Sequence, residues 1–130
     1  MSNDPGVRTY DNIYLIETDD DLSLNQAGTG EGSTAFITVP GGSILDGNSD
    51  ENGLNLISGN ACLAANLNIG TEEDPITTEV TSVEGIATSG NTHLSNIGAL
   101  EIGGACNLSG IQSGGEVNIS ASSPVTITED

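Results

Sequence analysis

The sequence predicts an all-β fold, a β-solenoid whose short parallel strands stack in coils of roughly 17–22 residues. Apolar residues recur in alternating pairs and almost never at helical spacing, which indicates strands. Similar pairs return at similar intervals, from Ile37 to Leu54, from Leu100 to Val117 and, slightly longer, from Val80 to Leu100. A strand pattern that repeats at such an interval is typical of a solenoid, in which each coil lies in parallel on the one before.

The predicted strands are three to six residues long and are separated by polar corners. In chain order the alternating apolar pairs are Leu22/Leu24, Ile37/Val39, Leu54/Leu56, Leu67/Ile69, Leu100/Ile102, Val117/Ile119 and Val125/Ile127. The corners between them read "AGTGEGS", "PGGS", "DGNSDENG", "GTEEDP", "TSGN", "IGG" and "QSGG", and they consist of residues that favour turns. We therefore treat residues 1–130 as one β-solenoid domain, with residues 1–10 as a candidate irregular lead-in.

The apolar composition fits a narrow cylinder better than a β-sandwich. The chain has no Trp, one Phe (Phe36) and two Tyr (Tyr10 and Tyr14), so Ile, Leu, Val and Ala have to fill its core. A sandwich, the alternative fold, would need longer strands and large residues to span the ~10 Å between its sheets. In a solenoid, alternate side chains of each strand turn inward, and Asn and Ser at matching corners can form ladders along the stack.

The charge excludes several classes of function. The chain has a formal net charge of −18, with no Lys and one Arg (Arg8), so it has no cationic surface for nucleic acid or for anionic membranes. No run approaches the ~18 apolar residues of a membrane span. The first residues, "MSNDPGVRTYDN", lack the basic and apolar regions of a secretion signal, so we expect none within this chain. So acidic a surface stays soluble in high salt, which suits a saline or extracellular setting.

The residues that usually carry catalysis are scarce. Cys62 and Cys106 stand outside any CxxC motif and His93 is the only histidine, so neither a zinc ligand set nor a catalytic triad is supported, and we expect no enzyme. The separation of the two cysteines corresponds to about two coils. At equivalent positions their Cα atoms would lie ~9.6 Å apart, from a coil rise of ~4.8 Å, whereas a disulfide needs less than ~7 Å. The sequence therefore predicts two free thiols.

One acidic corner is a candidate cation site. Asp46, Asn48 and Asp50 have the 1-3-5 spacing of a calcium loop, with Ca²⁺ as the candidate ion. Glu51 stands where an EF-hand requires Gly, and Ile57 stands where it requires Glu, so the corner is no EF-hand. The favoured interpretation is a solvated corner whose short polar side chains bond their own backbone, and the alternative is weak cation binding.

Four segments resemble a known family. The segments "GSILDG", "LNIGTEEDPI", "SNIGALEIGG" and "SGGEVNISASSPVTI" resemble the repeat region of filamentous-haemagglutinin-like and related giant bacterial β-helical surface exoproteins, many of them adhesins. The resemblance extends from about Asp11 to Asp130. It implies a single-stranded, right-handed parallel β-helix that serves as an extended stalk, displayed at the cell surface or secreted.

Three functions are compatible with these observations. The favoured one is a structural, non-catalytic extracellular segment of a stalk or filament, whose partners are further copies of itself, stacked end to end, or the rest of a longer exoprotein. The alternative is an adhesin segment that binds glycans or cell surfaces along the solenoid face. A polysaccharide-cleaving enzyme is the third, and the lack of basic residues and of long groove-forming loops argues against it. End-to-end stacking is expected because both terminal stretches, Tyr10–Leu24 and "PVTITED", are strand-like and uncapped.

Overall fold

Short strands pair in parallel throughout the described part of the chain, residues 7–48 and 53–128 of the computed structural model. These residues contain no helix and form a β-solenoid of about five turns, as the sequence predicts. Each coil contributes to a six-stranded sheet and a seven-stranded sheet, and two coils also contribute to a two-stranded sheet. The chain thus climbs one coil at a time, and every sheet runs along the solenoid axis.

The strands have the following bounds. The six-stranded sheet contains β1 (Val7–Arg8), β4 (Ala27–Gly28), β7 (Leu56–Ile57), β9 (Ile76–Glu79), β11 (Thr92–Asn96) and β14 (Val117–Ala121). The seven-stranded sheet contains β2 (Ile13–Ile16), β5 (Thr34–Val39), β8 (Asn60–Ala65), β10 (Ser82–Ala87), β12 (Leu100–Ile102), β13 (Ile111–Ser113) and β15 (Val125–Ile127). The two-stranded sheet pairs β3 (Leu22–Leu24) with β6 (Ile44–Asp46).

The strand register gives the length of each coil. One column of the seven-stranded sheet consists of Ile13, Ala35, Ala61, Val83, Ile102 and Ile127. Three of its intervals fall within the predicted range, and the shortest of them runs from Val83 to Ile102. The intervals from Ala35 to Ala61 and from Ile102 to Ile127 are longer than predicted. In the sequence, the first of these intervals contains residues 46–53 and the second contains the loop at 103–110.

The intervals that the sequence suggested joined some positions that are not equivalent. Ile37 lies in the seven-stranded sheet, whereas Leu54 lies two residues before β7 of the six-stranded sheet. Leu100 and Val117 are likewise in different sheets. Alternating pairs look alike on every face of a coil, so sequence intervals alone do not show which pairs stack on each other.

The core is aliphatic, as the composition predicts. Its largest fully buried apolar side chains are Ile37, Ile44, Leu56, Leu63, Ile69 and Ile76. Along β5 and β8, buried and half-buried residues alternate strictly, so alternate side chains point inward. Burying each Ile or Leu contributes roughly 1.5–3 kcal/mol, so a narrow core of small and branched side chains suffices to hold the coils together.

A polar ladder runs along one corner of the stack. In each link a side-chain oxygen accepts the backbone N–H of the residue one coil further on: Asp21 from Ser43 (2.8 Å), Ser43 from Asn68 (3.0 Å), Asn68 from Asn91 (2.9 Å) and Asn91 from Glu116 (2.7 Å). The ladder of short polar side chains expected at matching corners is therefore present. It connects five successive coils by bonds that run along the axis.

Candidate functional site

The acidic corner uses part of its side chains to hold its own backbone. The Asp46 carboxylate accepts a hydrogen bond from the Asn48 N–H (2.8 Å) and another from the Asn55 side-chain amide (2.8 Å). Asn55 is fully buried and donates as well to the Leu24 carbonyl on the preceding coil (2.9 Å). Asp46 thus anchors the start of the corner in the way a solvated turn requires.

The cation-site prediction at this corner stays a prediction. Asp46 and Asn48 are within the described residues, whereas Asp50 lies outside them. Across residues 7–48 and 53–128, no group of three or more His, Cys, Asp or Glu side chains is arranged to hold a metal ion. The chemistry of the corner therefore has to be tested in solution.

Screening by salt should stabilise the fold. Because 19 carboxylates face one Arg, their mutual repulsion opposes folding, and we expect the melting temperature to rise between low and moderate NaCl. Calorimetry in NaCl and in CaCl₂ at matched ionic strength separates screening from chelation. Asp46→Asn keeps the accepting oxygen and removes the charge. It should therefore abolish any rise in melting temperature that CaCl₂ gives beyond NaCl at the same ionic strength. Asp74→Asn is the matched control. A melting temperature that falls as NaCl rises would contradict the repulsion argument.

A disulfide joins Cys62 to Cys106, so the prediction of two free thiols is wrong. The Cα atoms are 6.1 Å apart, within reach of a disulfide. The error came from placing both cysteines at equivalent positions in stacked strands. Cys62 does lie in a strand, β8, but Cys106 lies between β12 and β13, in a loop at residues 103–110 that we call the clasp loop.

The clasp loop leaves the stack and returns to it. β12 pairs with Ser82 and Val83 of β10, and β13 pairs with Gly85, Ile86 and Ala87 of the same strand. Glu84 lies between the two paired stretches, opposite the loop. Gly103, Gly104 and Gly110 begin and end the loop with φ values of 120°, 75° and 69°, in the left-handed region that favours glycine.

Glu84 is a fully buried carboxylate on which the clasp loop rests. Its carboxylate accepts backbone N–H groups from Gly104 (3.2 Å), Cys106 (2.6 Å) and Gly110 (3.3 Å). Its register partner on the preceding coil is Cys62, so Glu84 and the disulfide lie side by side on the outer face of the sheet. A charge pinned in this way fixes the loop from its first residues to its last.

Two sequence signals pointed to this arrangement. In β10, "SVEGIA", Glu84 is the one charged residue among small and apolar ones. A buried carboxylate needs hydrogen-bond donors, which the rest of this strand does not offer. The segment "GGACNLSG" adds glycines around a cysteine beyond the length of an ordinary corner. Sequence reasoning missed the site because neither signal says which residues the loop folds back onto.

A groove lies on another part of the surface, along the corners that lead from the six-stranded to the seven-stranded sheet. One cavity of about 450 Å³ is lined by Thr9, Tyr10, Gly28, Thr29 and Ile57. It adjoins a second cavity of about 560 Å³ that shares Thr29 and Ile57 and continues past Glu79 to Ala99. Together they span five successive coils.

The corners that line the groove differ in length. The corners after β7 and β9 have two residues each, 58–59 and 80–81, whereas the corner after β4 has five, 29–33, and that after β11 has three, 97–99. The two shortest corners therefore lie between longer ones along the groove. His93 lies outside this groove and is buried in β11. In the described part of the chain, no helix is long and apolar enough to span a bilayer.

The fold and these features define a protein class, the parallel β-solenoids built from stacked repeats. No family model, curated protein or solved structure matches the chain. The structure supports the resemblance to filamentous-haemagglutinin-like exoproteins at the level of the β-helical repeat, and no family match extends it further.

Proposed function

We propose that this protein is a structural, non-catalytic β-solenoid that acts as a rigid segment of an extracellular stalk or filament, as in filamentous-haemagglutinin-like surface proteins. The observation that carries the proposal is the continuity of the coils. Every sheet and the Asp21–Glu116 polar ladder run along the same axis, and consecutive coils bond directly to each other. Such a stack resists bending and stretching because either motion breaks many parallel bonds at once.

The disulfide supports an extracellular location. Disulfides persist in oxidising compartments and are rare where the cytosol keeps thiols reduced. The surface charge of −18 supports the same setting, because it maintains solubility in salt. Neither feature depends on catalysis, and the disulfide leaves neither Cys62 nor Cys106 as a free nucleophile.

End-to-end contact is the proposed mode of assembly. Ile102, half-buried, stacks on Ile127, and Leu100, 3% exposed, stacks on Val125. In the last described coil the side chains of these columns are exposed to solvent, Ile127 by 70% and Val125 by 45%. Apolar side chains that continue a core column favour a further coil on that face, and we propose that a second copy supplies it.

The opposite face is better covered. Ile13, which occupies the same column as Ile127, is only 5% exposed although β2 is the edge strand of its sheet. The column that runs from Ile13 to Ile127 is therefore covered at its N-terminal end and open at its C-terminal end.

The test is light scattering of the purified chain from low to molar NaCl. We expect assembly to increase with salt, because screening weakens the repulsion between acidic ends. Val125→Lys/Ile127→Lys should abolish it, whereas the control Asn66→Lys/Leu67→Lys, which adds the same charge at exposed residues of a central coil, should not. A wild type that stays monomeric at high concentration in every salt would count against end-to-end assembly.

A second candidate function, glycan binding by an adhesin segment, is favoured by one specific observation, the groove along the corners. It needs no end-to-end assembly.

A further inference from the structure

We propose that the groove along the corners binds an extended glycan, and that a polymer of amino sugars with free amino groups is its preferred ligand. The proposal is independent of the stalk function, because it concerns the flank of the solenoid and not its end. It rests on the shape of the groove, its hydrogen-bonding groups, its charge and one exposed aromatic ring.

The groove is long and periodic. Coils rise by ~4.8 Å, so five coils offer a strip roughly 20 Å long that an extended polymer can follow. Each coil presents a corner at the same place along the stack, which suits a ligand made of repeated units of comparable length. A chain of linked sugar rings has this property.

The polar groups of the groove suit sugars better than peptides. The backbone N–H groups of Thr29, Ser58, Thr81 and Ile97 already donate to carbonyls of neighbouring coils. A peptide that binds by adding a strand could not use these four donors. A sugar can instead bond the Thr81 hydroxyl and the carboxylates of Glu31 and Glu79, all of which belong to exposed residues.

Tyr10 supplies the aromatic surface. Its side chain is 91% exposed at one end of the groove. Its backbone is nevertheless held, because the Ser33 hydroxyl donates to the Tyr10 carbonyl (3.0 Å). Gly30 packs so closely that a Cβ there would lie 2.7 Å from the same carbonyl oxygen. A ring anchored at its base and open at its face is suited to stacking on a sugar ring.

Charge selects among glycans. The described lining includes two carboxylates, Glu31 and Glu79, and no Lys, Arg or His side chain. Together with a net charge of −18, this repels uronate and sulfated polymers and attracts protonated amino groups. The groove is therefore better matched to glucosamine-type chains than to neutral or acidic ones.

The experiment is titration calorimetry of the full chain with three hexamers at about 150 mM salt, a concentration that limits screened long-range attraction. We expect the glucosamine hexamer to bind, the N-acetylglucosamine hexamer to bind more weakly, and a galacturonate hexamer not to bind. Glu31→Gln/Glu79→Gln should weaken only the glucosamine hexamer, by about threefold or more. Tyr10→Ala should weaken both bound hexamers by about two- to tenfold.

The matched control is Glu73→Gln/Glu116→Gln, which removes two exposed carboxylates outside the groove. If it weakens binding as much as Glu31→Gln/Glu79→Gln does, attraction is spread over the surface and the groove assignment is wrong. Binding of a hexalysine peptide as tightly as the glucosamine hexamer, insensitive to Tyr10→Ala, would overturn the glycan assignment. Absence of binding to every hexamer would overturn the proposal as a whole, without bearing on end-to-end assembly.

Discussion

Replacing Cys62 and Cys106 by Ser is expected to lower the free energy of unfolding by about 4 kcal/mol, the chain-entropy value for a closed loop of 44 residues. For a chain of this length the loss corresponds to roughly 15 °C in melting temperature. The physical reason is that the crosslink restricts the unfolded chain across two coils, while the folded stack already holds both residues near each other. Urea unfolding of the wild type and of Cys62→Ser/Cys106→Ser measures the difference.

Reductant provides the control for this experiment. It should lower the stability of the wild type to that of the Ser variant and leave the Ser variant unchanged. Two titratable thiols in unreduced, denatured wild-type monomer would contradict the disulfide itself. An unchanged free energy of unfolding would instead show that the unfolded chain is already restricted without the crosslink.

Glu84→Ala is expected to destabilise the protein by about 3 kcal/mol or more, because each buried N–H group left without an acceptor costs about 1–3 kcal/mol. The substitution leaves the N–H groups of Gly104, Cys106 and Gly110 without their acceptor beneath the clasp loop. Glu84→Gln should cost less than Glu84→Ala because one oxygen still accepts, but it turns an NH₂ group toward donors. Glu116→Gln, an exposed carboxylate, is the matched control and should change stability by less than about 0.5 kcal/mol.

The disulfide and Glu84 hold the same loop, so their effects should not add. In a double-mutant cycle, Glu84→Ala should cost less in the Cys62→Ser/Cys106→Ser background than in the wild type, because a loop freed from its crosslink can move its N–H groups to water. Hydrogen exchange at Gly104, Cys106 and Gly110 reports the opening directly. Strict additivity would indicate that the loop stays seated without one of its anchors.

The end-to-end and glycan proposals concern different surfaces of one solenoid. Ile127 and Val125 lie on the last described coil, whereas Tyr10, Glu31 and Glu79 line the flank. A stalk with such a groove would both extend from its anchor and bind a glycan along its flank. Each proposal has its own variants, so failure of one leaves the other standing.

Local pattern was enough for the class of fold. Alternating pairs such as Val125/Ile127, polar corners and the scarcity of aromatics led to a parallel solenoid with an aliphatic core, because strand alternation and side-chain volume act over a few residues. Ladder formation at matching corners followed from the same reasoning, and the Asn68–Asn91 link is one example. The 1-3-5 spacing that begins at Asp46 predicts a candidate cation site. Whether a cation binds there depends on the three-dimensional positions of the side chains, which a spacing does not determine.

Only the tertiary structure decided which residues of neighbouring coils contact each other and where the chain leaves the regular stack. Cys62 meets Cys106 because the clasp loop leaves the stack, and Glu84 becomes a buried anchor because that loop covers it. The groove likewise exists because the corners of successive coils line up along one flank of the stack. The sequence by itself determined the repeating strand, its inward face and its charge. Register, loop return and corner alignment were decided by contacts between residues a whole coil or more apart in the chain, which no local pattern encodes.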